Sequence, residues 1–99
     1  AENISMDLNL TGRVAVITGP AKGMGAAVTR AFAAEGCRLV LIGRDIAAIE
    51  TVATEIQAAG AEAIVMPCDI TKGSECDDAV RAAKNAYGGR IDILVNVAG

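Results

Sequence analysis

Four apolar residues, Val14-Ala15-Val16-Ile17, lead directly into Thr18-Gly19-Pro20-Ala21-Lys22-Gly23-Met24-Gly25, and that segment opens into a helical pattern. No other stretch restricts the fold so tightly. A strand, a glycine-rich turn and a helix start in immediate succession open a strand-helix-strand unit of a parallel sheet. Glycines at these places permit a tight turn, let backbone N–H groups approach a phosphate, and allow the helix to pack close to its strand. The implied ligand is a dinucleotide. The glycines fall at Gly19, Gly23 and Gly25 rather than in the commoner G-x-G-x-x-G spacing, so the assignment rests on the flanking strand and helix.

The rest of the chain repeats that unit. The first strand spans 13–18 and is preceded by Leu8, Leu10 and a Thr11-Gly12 turn. From Gly23, the residues Met24, Ala27, Val28, Ala31 and Phe32 recur at helical spacing, with Arg30 and Glu35 on the other side and Gly36 placed as the terminal cap. Leu39-Val40-Leu41-Ile42 is apolar on both faces, as a central parallel strand requires. Asp45 is placed to cap a second helix, whose stripe is Ile46, Ile49, Val52 and Ile56 and which Gly60 closes. A third strand, Ala63 to Met66, stops at Pro67. Thr71 then caps a third helix with the stripe Cys76, Val80, Ala83 and Tyr87, ended by Gly88-Gly89, and Ile91 to Val97 forms a fourth strand. Right-handed crossovers predict an α/β fold, a Rossmann-type doubly wound parallel sheet of order 3-2-1-4.

Composition supports a buried sheet and narrows the partners. Apolar residues make up 53% of the 99 residues and aromatics only 2%, so the core must be Ala, Val, Ile and Leu in closely packed layers. A net charge of −3 without a basic run or aromatic ladder argues against nucleic acid. No stretch approaches the roughly 18 apolar residues that span a bilayer, and no signal-peptide pattern is seen in the opening residues. A soluble, cytoplasmic protein with no membrane partner is expected. Cys37, Cys68 and Cys76 are widely spaced and no histidine is present, so reduced thiols are expected and no metal site.

Thr18 to Gly25, Asp69 with Ile70, and Asn96-Val97-Ala98-Gly99 together resemble the N-terminal half of a short-chain dehydrogenase/reductase, over a match from about Leu8 to Gly99. The resemblance implies that Gly19, Ala21, Lys22, Gly23, Met24 and Gly25 hold the pyrophosphate and ribose of the cofactor. It implies that Asp69 and Ile70 lie at the adenine, and that Asn96, Ala98 and Gly99 lie beside the cofactor at the fourth strand's end. Val97 departs from the family's Asn-Asn-Ala-Gly, where a second Asn stands. Residues 1–7 are expected to be a leader or expression remnant, and residues 8–99 the first half of a single dinucleotide-binding domain, cut short after the fourth strand because such domains take about 150 to 250 residues.

Gly43 occupies the end of the second strand, where a carboxylate would bind the ribose hydroxyl of NAD and repel a 2′-phosphate. With Arg44 beside it and Lys22 in the glycine turn, the pocket should accept NADP, and basic residues at these places resemble NADP-preferring members of the family. Were Asp45 to swing toward the ribose instead of capping its helix, NAD would fit. The family's catalytic Ser and Tyr-x-x-x-Lys have no counterpart here: the single tyrosine, Tyr87, is followed by Gly88-Gly89-Arg90-Ile91 and is rejected for that role, so no catalytic residue is assigned. The expectation is the cofactor half of an NADP(H)-dependent oxidoreductase acting on an alcohol or carbonyl substrate, homo-oligomeric as a dimer or tetramer by resemblance. The alternatives are a non-catalytic dinucleotide-binding module, or a fragment whose fourth strand leaves an open apolar edge.

Overall fold

The computed structural model describes residues 11–21, 23–68, 73–89 and 91–97, with the side chains of 73–76 and 80 outside that description. The elements are β1 (Val14–Thr18), α1 (Met24–Ala34), β2 (Arg38–Gly43), α2 (Ile46–Ala58), β3 (Glu62–Pro67), α3 (Gly73–Ala86) and β4 (Ile93–Asn96). The four strands form one sheet in the order β3-β2-β1-β4, every pair parallel. Successive side chains of a strand point to opposite faces, and both faces of β1 and β2 are apolar here. Ala15, Ile17, Leu39 and Leu41 pack with Ile49, Ala53 and Ile56 of α2 and with the half-buried Val28 and Phe32 of α1. On the other face Val16, Val40 and Ile42 pack with Cys68 and with Ala79 and Ala83 of α3. The sheet is therefore covered on both sides, which leaves its edges and strand ends as the places a ligand can reach.

Several expectations from the sequence hold in detail. Ile49, Val52 and Ile56 of the expected α2 stripe are buried, joined by Ala53, while Ile46 is only half-buried, and Asp45 caps that helix. Gly36, at φ 85°, and Gly60, at φ 102°, follow the last helical residues in a conformation that favours glycine. Tyr87 packs beside the second core layer and donates its hydroxyl to the Leu39 carbonyl at 3.3 Å.

Other details are corrected. In α1, Met24 is 73% exposed and Ala27 and Ala31 are exposed, while Gly25, Ala26 and Thr29 are buried. The glycine turn must touch the helix through Gly25, and that contact rotates the helix about its axis. β3 continues through Pro67, which pairs with Gly43; a proline is tolerated there because β3 is an edge strand. β4 begins at Ile93, not Ile91. The preceding Asp92 ties itself to Val14 twice, its N–H donating to the Val14 carbonyl at 2.9 Å and its carboxylate accepting from the Val14 N–H at 2.8 Å. Cys37 and Cys68 are fully buried and neither forms a disulfide. Thr71 and the side chains of Cys76 and Val80 lie outside the described residues. Among the described residues no helix is long and apolar enough to cross a membrane.

Candidate functional site

All four strands point the same way, so their C-terminal ends share one edge of the sheet. Pairing continues one residue past the strands: Cys68 N–H donates to Gly43 at 2.9 Å, Gly19 N–H to Ile42 at 3.1 Å and Val97 N–H to Thr18 at 3.1 Å. Cys68, Gly43, Gly19 and Val97 are thus set side by side along that edge. Chain order β1-β2-β3 proceeds to one side of β1 and β4 returns to the other. The space above β1 and β4 is the switch point at which open α/β sheets bind ligands.

The glycine turn stands over it. Gly19 has φ 69° and Gly23 φ 46°, and a Cβ at Gly23 would meet nothing within 4 Å. Gly25 is different. A Cβ there would overlap the Gly19 carbonyl oxygen and lie 3.3 Å from the Pro20 Cα, so only glycine lets the helix approach the turn this closely. Gly23 is the N-cap of α1, contributes no capping side chain, and no acidic residue follows in the first turn. The start of α1 therefore presents the positive end of its dipole with no carboxylate of its own to offset it.

Two threonines hold this arrangement, neither of which the sequence singled out as a site residue. Thr18 Oγ1 donates to Asn96 Oδ1 at 2.9 Å, which fixes the carboxamide across the ends of β1 and β4. Thr29, completely buried in α1, is within hydrogen-bond distance of the Gly25 carbonyl at 2.7 Å and the Pro20 carbonyl at 3.2 Å. The usable signals are a threonine directly before the glycine turn and another one helical turn after its last glycine. Val97, which stands in place of the family's second Asn, keeps its backbone bond to Thr18 and packs its side chain against the first core layer.

At the end of β2, a Cβ on Gly43 would come within 2.7 Å of Ile49 Cδ1, the far end of a side chain that can shift, and 3.8 Å of Pro20 Cδ, so glycine is less strictly demanded there than at Gly25. Arg44 and Asp45 follow on the surface. Asp45 Oδ1 accepts from the Ala48 N–H at 3.2 Å, so the carboxylate serves α2 as its cap. The structure thus brings Gly19, Ala21, Gly23, Met24, Gly25, Arg44 and Asn96 to one edge of the sheet. Lys22, Asp69, Ile70, Ala98 and Gly99 lie outside the described residues.

Tyr87 belongs to the opposite side of the molecule from this edge. Arg38 lies 5.3 Å from its ring centroid, and Arg38 itself donates to the Gly12 carbonyl at 3.2 and 3.0 Å, before the start of β1. Burial pushes the Tyr87 phenol above its ordinary range, Glu62 adding to the shift and Arg38 opposing it. That is a neutral structural hydroxyl, in keeping with its rejection as a catalytic group. Among the described residues no three His, Cys, Asp or Glu side chains gather as metal ligands.

Comparison with known proteins agrees with this geometry. The family model for short chain dehydrogenases matches residues 13–99. The chain is 40% identical over 90 residues to 2,5-dichloro-2,5-cyclohexadiene-1,4-diol dehydrogenase of Sphingobium indicum, covering 91% of this chain and 36% of that one. A metagenomic short-chain oxidoreductase crystallised with NADP superposes with a TM-score of 0.87 at 41% identity, over 92% of this chain and 41% of the other. A short-chain dehydrogenase/reductase from Burkholderia phymatum in complex with NAD superposes with a TM-score of 0.82 at 35% identity, over 87% and 30%. The chain spans about a third of the length of these proteins. With its sheet order, glycine turn and strand-end asparagine as this family builds them, the chain belongs to the short-chain dehydrogenases.

Proposed function

We propose that residues 8–99 are the N-terminal, cofactor-binding half of a single domain in an NADP(H)-dependent oxidoreductase that acts on an alcohol or carbonyl substrate. When bound, the cofactor supplies a nicotinamide that gives or takes a hydride. The backbone of Gly19 to Gly25 and the start of α1 would hold the pyrophosphate, for which the open space at Gly23 and the absence of acid in the first turn of α1 are suited. Asn96, fixed by Thr18, would support the cofactor at the end of β4, with Ala98 and Gly99 following it. Asp69 and Ile70 would take the adenine.

The observation that carries the choice of NADP is the end of β2. Gly43 places no carboxylate there, Asp45 is engaged as a helix cap, and Arg44 is exposed beside them. A guanidinium offers planar donors to a 2′-phosphate, and Lys22 would add a second cation. The related structures bound to NADP and to NAD keep both cofactors in view, so the test must separate them. In a binding titration, Arg44→Asp should weaken NADP by more than tenfold, about 1.4 kcal/mol or more. NAD should be little affected or improved. Equal losses for both would remove Arg44 from the 2′-phosphate.

A non-catalytic dinucleotide-binding module is the second reading, favoured by the place of the single tyrosine: Tyr87 donates to the Leu39 carbonyl near the start of β2, whereas the glycine turn follows the end of β1. Cofactor-dependent turnover of a carbonyl substrate by the full chain separates the two.

A further inference from the structure

We propose that Thr29 is a positioning residue for the dinucleotide turn: its hydroxyl holds the Pro20 carbonyl against α1 and so turns the Ala21 N–H away from the helix, toward the ligand. This inference rests on the cofactor-binding function proposed above. Thr29 is completely buried in a helix otherwise rich in alanine, and a buried hydroxyl is costly unless it is hydrogen-bonded. Its bond to the Gly25 carbonyl, four residues back, is one that any helical threonine can make. The contact with Pro20, nine residues back and 3.2 Å away, is the one that ties the turn to the helix. A hydroxyl has a single proton, so the two carbonyls share it.

The geometry of the turn gives that tie a consequence. The carbonyl of Gly19 already lies against α1, in the space a side chain at Gly25 would occupy. Pro20 has no N–H, so the Gly19–Pro20 peptide offers a ligand no donor. The next peptide, Pro20–Ala21, is trans, and its C=O and N–H point in opposite directions. With the carbonyl drawn inward by Thr29, the Ala21 N–H faces out. The turn then has a donor ready before the ligand arrives, instead of having to rotate a peptide to present one, and preorganisation of this kind lowers the cost of binding. Because the donor is a backbone group of the pyrophosphate-binding turn, it should serve NADP and NAD alike, unlike Arg44.

The test is calorimetric titration of the full chain with NADPH and with NADH, using the wild type, Thr29→Val, Thr29→Ala and Thr29→Ser. Valine keeps the shape and removes the hydroxyl, serine keeps the hydroxyl, and alanine removes it without bulk should the valine protein fail to fold. Thr29→Val and Thr29→Ala should weaken both cofactors by the same factor, about fivefold for one misoriented hydrogen bond, with Thr29→Ser restoring affinity. Unchanged affinity in the hydroxyl-free variants overturns the proposal. So does a serine variant as weak as valine, which would make the role one of packing, or loss of the fold in both hydroxyl-free variants, which would make it one of stability. A wild type that binds neither cofactor instead overturns the cofactor function itself.

Discussion

Two helices start from the same edge of the sheet, and the chain treats their first turns in opposite ways. α2 follows β2 and is closed by its own sequence: the Asp45 carboxylate accepts from the Ala48 N–H. α1 follows β1 through Gly23, which has a positive φ and brings no side chain at all. Each helix begins with N–H groups that its own backbone cannot satisfy. At α2 a carboxylate supplies an acceptor and offsets the dipole, worth about 1 kcal/mol. At α1 that acceptor is withheld. The difference leaves the α2 start closed by its own carboxylate and the α1 start open, and the open one is where the proposed function seats the pyrophosphate.

The largest effect should come from breaking the close approach that defines the α1 start. Gly25→Ala places a methyl group on the Gly19 carbonyl, and backbone cannot give way as a flexible side chain would. A loss of about 3 kcal/mol is expected from such overpacking, together with loss of measurable binding of either cofactor. A thermal melt and a fluorescence titration check both; a variant that melts normally and binds would show that the turn sits farther from the helix than described.

The second prediction makes α1 resemble α2. Gly23→Asp introduces a carboxylate at the N-cap, in open space but at φ 46°, ψ −116°, where a residue with a side chain is strained by about 1–3 kcal/mol. Gly23→Ala carries the same strain without the charge. If the α1 start receives a pyrophosphate, the aspartate should bind both cofactors at least tenfold more weakly than the alanine, because the added charge opposes the anion. Equal affinities would mean that no phosphate lies there.

The third reverses the operation at α2. Asp45→Ala removes the cap and should cost about 1 kcal/mol in a urea titration. It should change the ratio of NADP to NAD affinity less than threefold, since the carboxylate is committed to Ala48. A large drop in NAD affinity would show that Asp45 serves the ribose, and would reopen the choice of cofactor.

The contrast between the two helix starts was partly legible in the sequence. Asp45 before an apolar-periodic run, and glycines before another, are local signals, and both appear in the structure as read. The order 3-2-1-4 followed from handedness rules that act on any series of parallel crossovers. The buried face of α1 was not legible, because alanine gives almost no amphipathic contrast and Met24 looks like core by composition. Only the contact of Gly25 with Gly19 decides the rotation, and it is tertiary. The start of β4 was missed for a related reason: Ile91 is apolar, yet it is Asp92 that makes the first ties to β1. Thr29 was invisible because a single threonine in a helix is ordinary until its partner Pro20 is seen.

The smallest effect should come from the bond that joins the two helices along their exposed flanks. Arg30 of α1 donates to Glu55 of α2 through Nε at 2.8 Å and Nη2 at 3.1 Å, with both side chains half exposed. The Arg30 hydrogen bond holds the Glu55 carboxyl below its ordinary range. A carboxyl lowered on folding contributes stability above its unfolded value and loses it as the pH falls through the folded one. The contribution is therefore complete at neutral pH and disappears only in acid. Water and salt screen so exposed a pair, so Glu55→Gln should leave the neutral-pH melting temperature nearly unchanged, slightly flatten the fall in stability at acid pH, and differ from wild type still less in molar salt. Cofactor affinity should not move. If it did, the flanks would be coupled to the α1 start, and the division between a capped and an open helix terminus would have to extend along the whole α1–α2 pair.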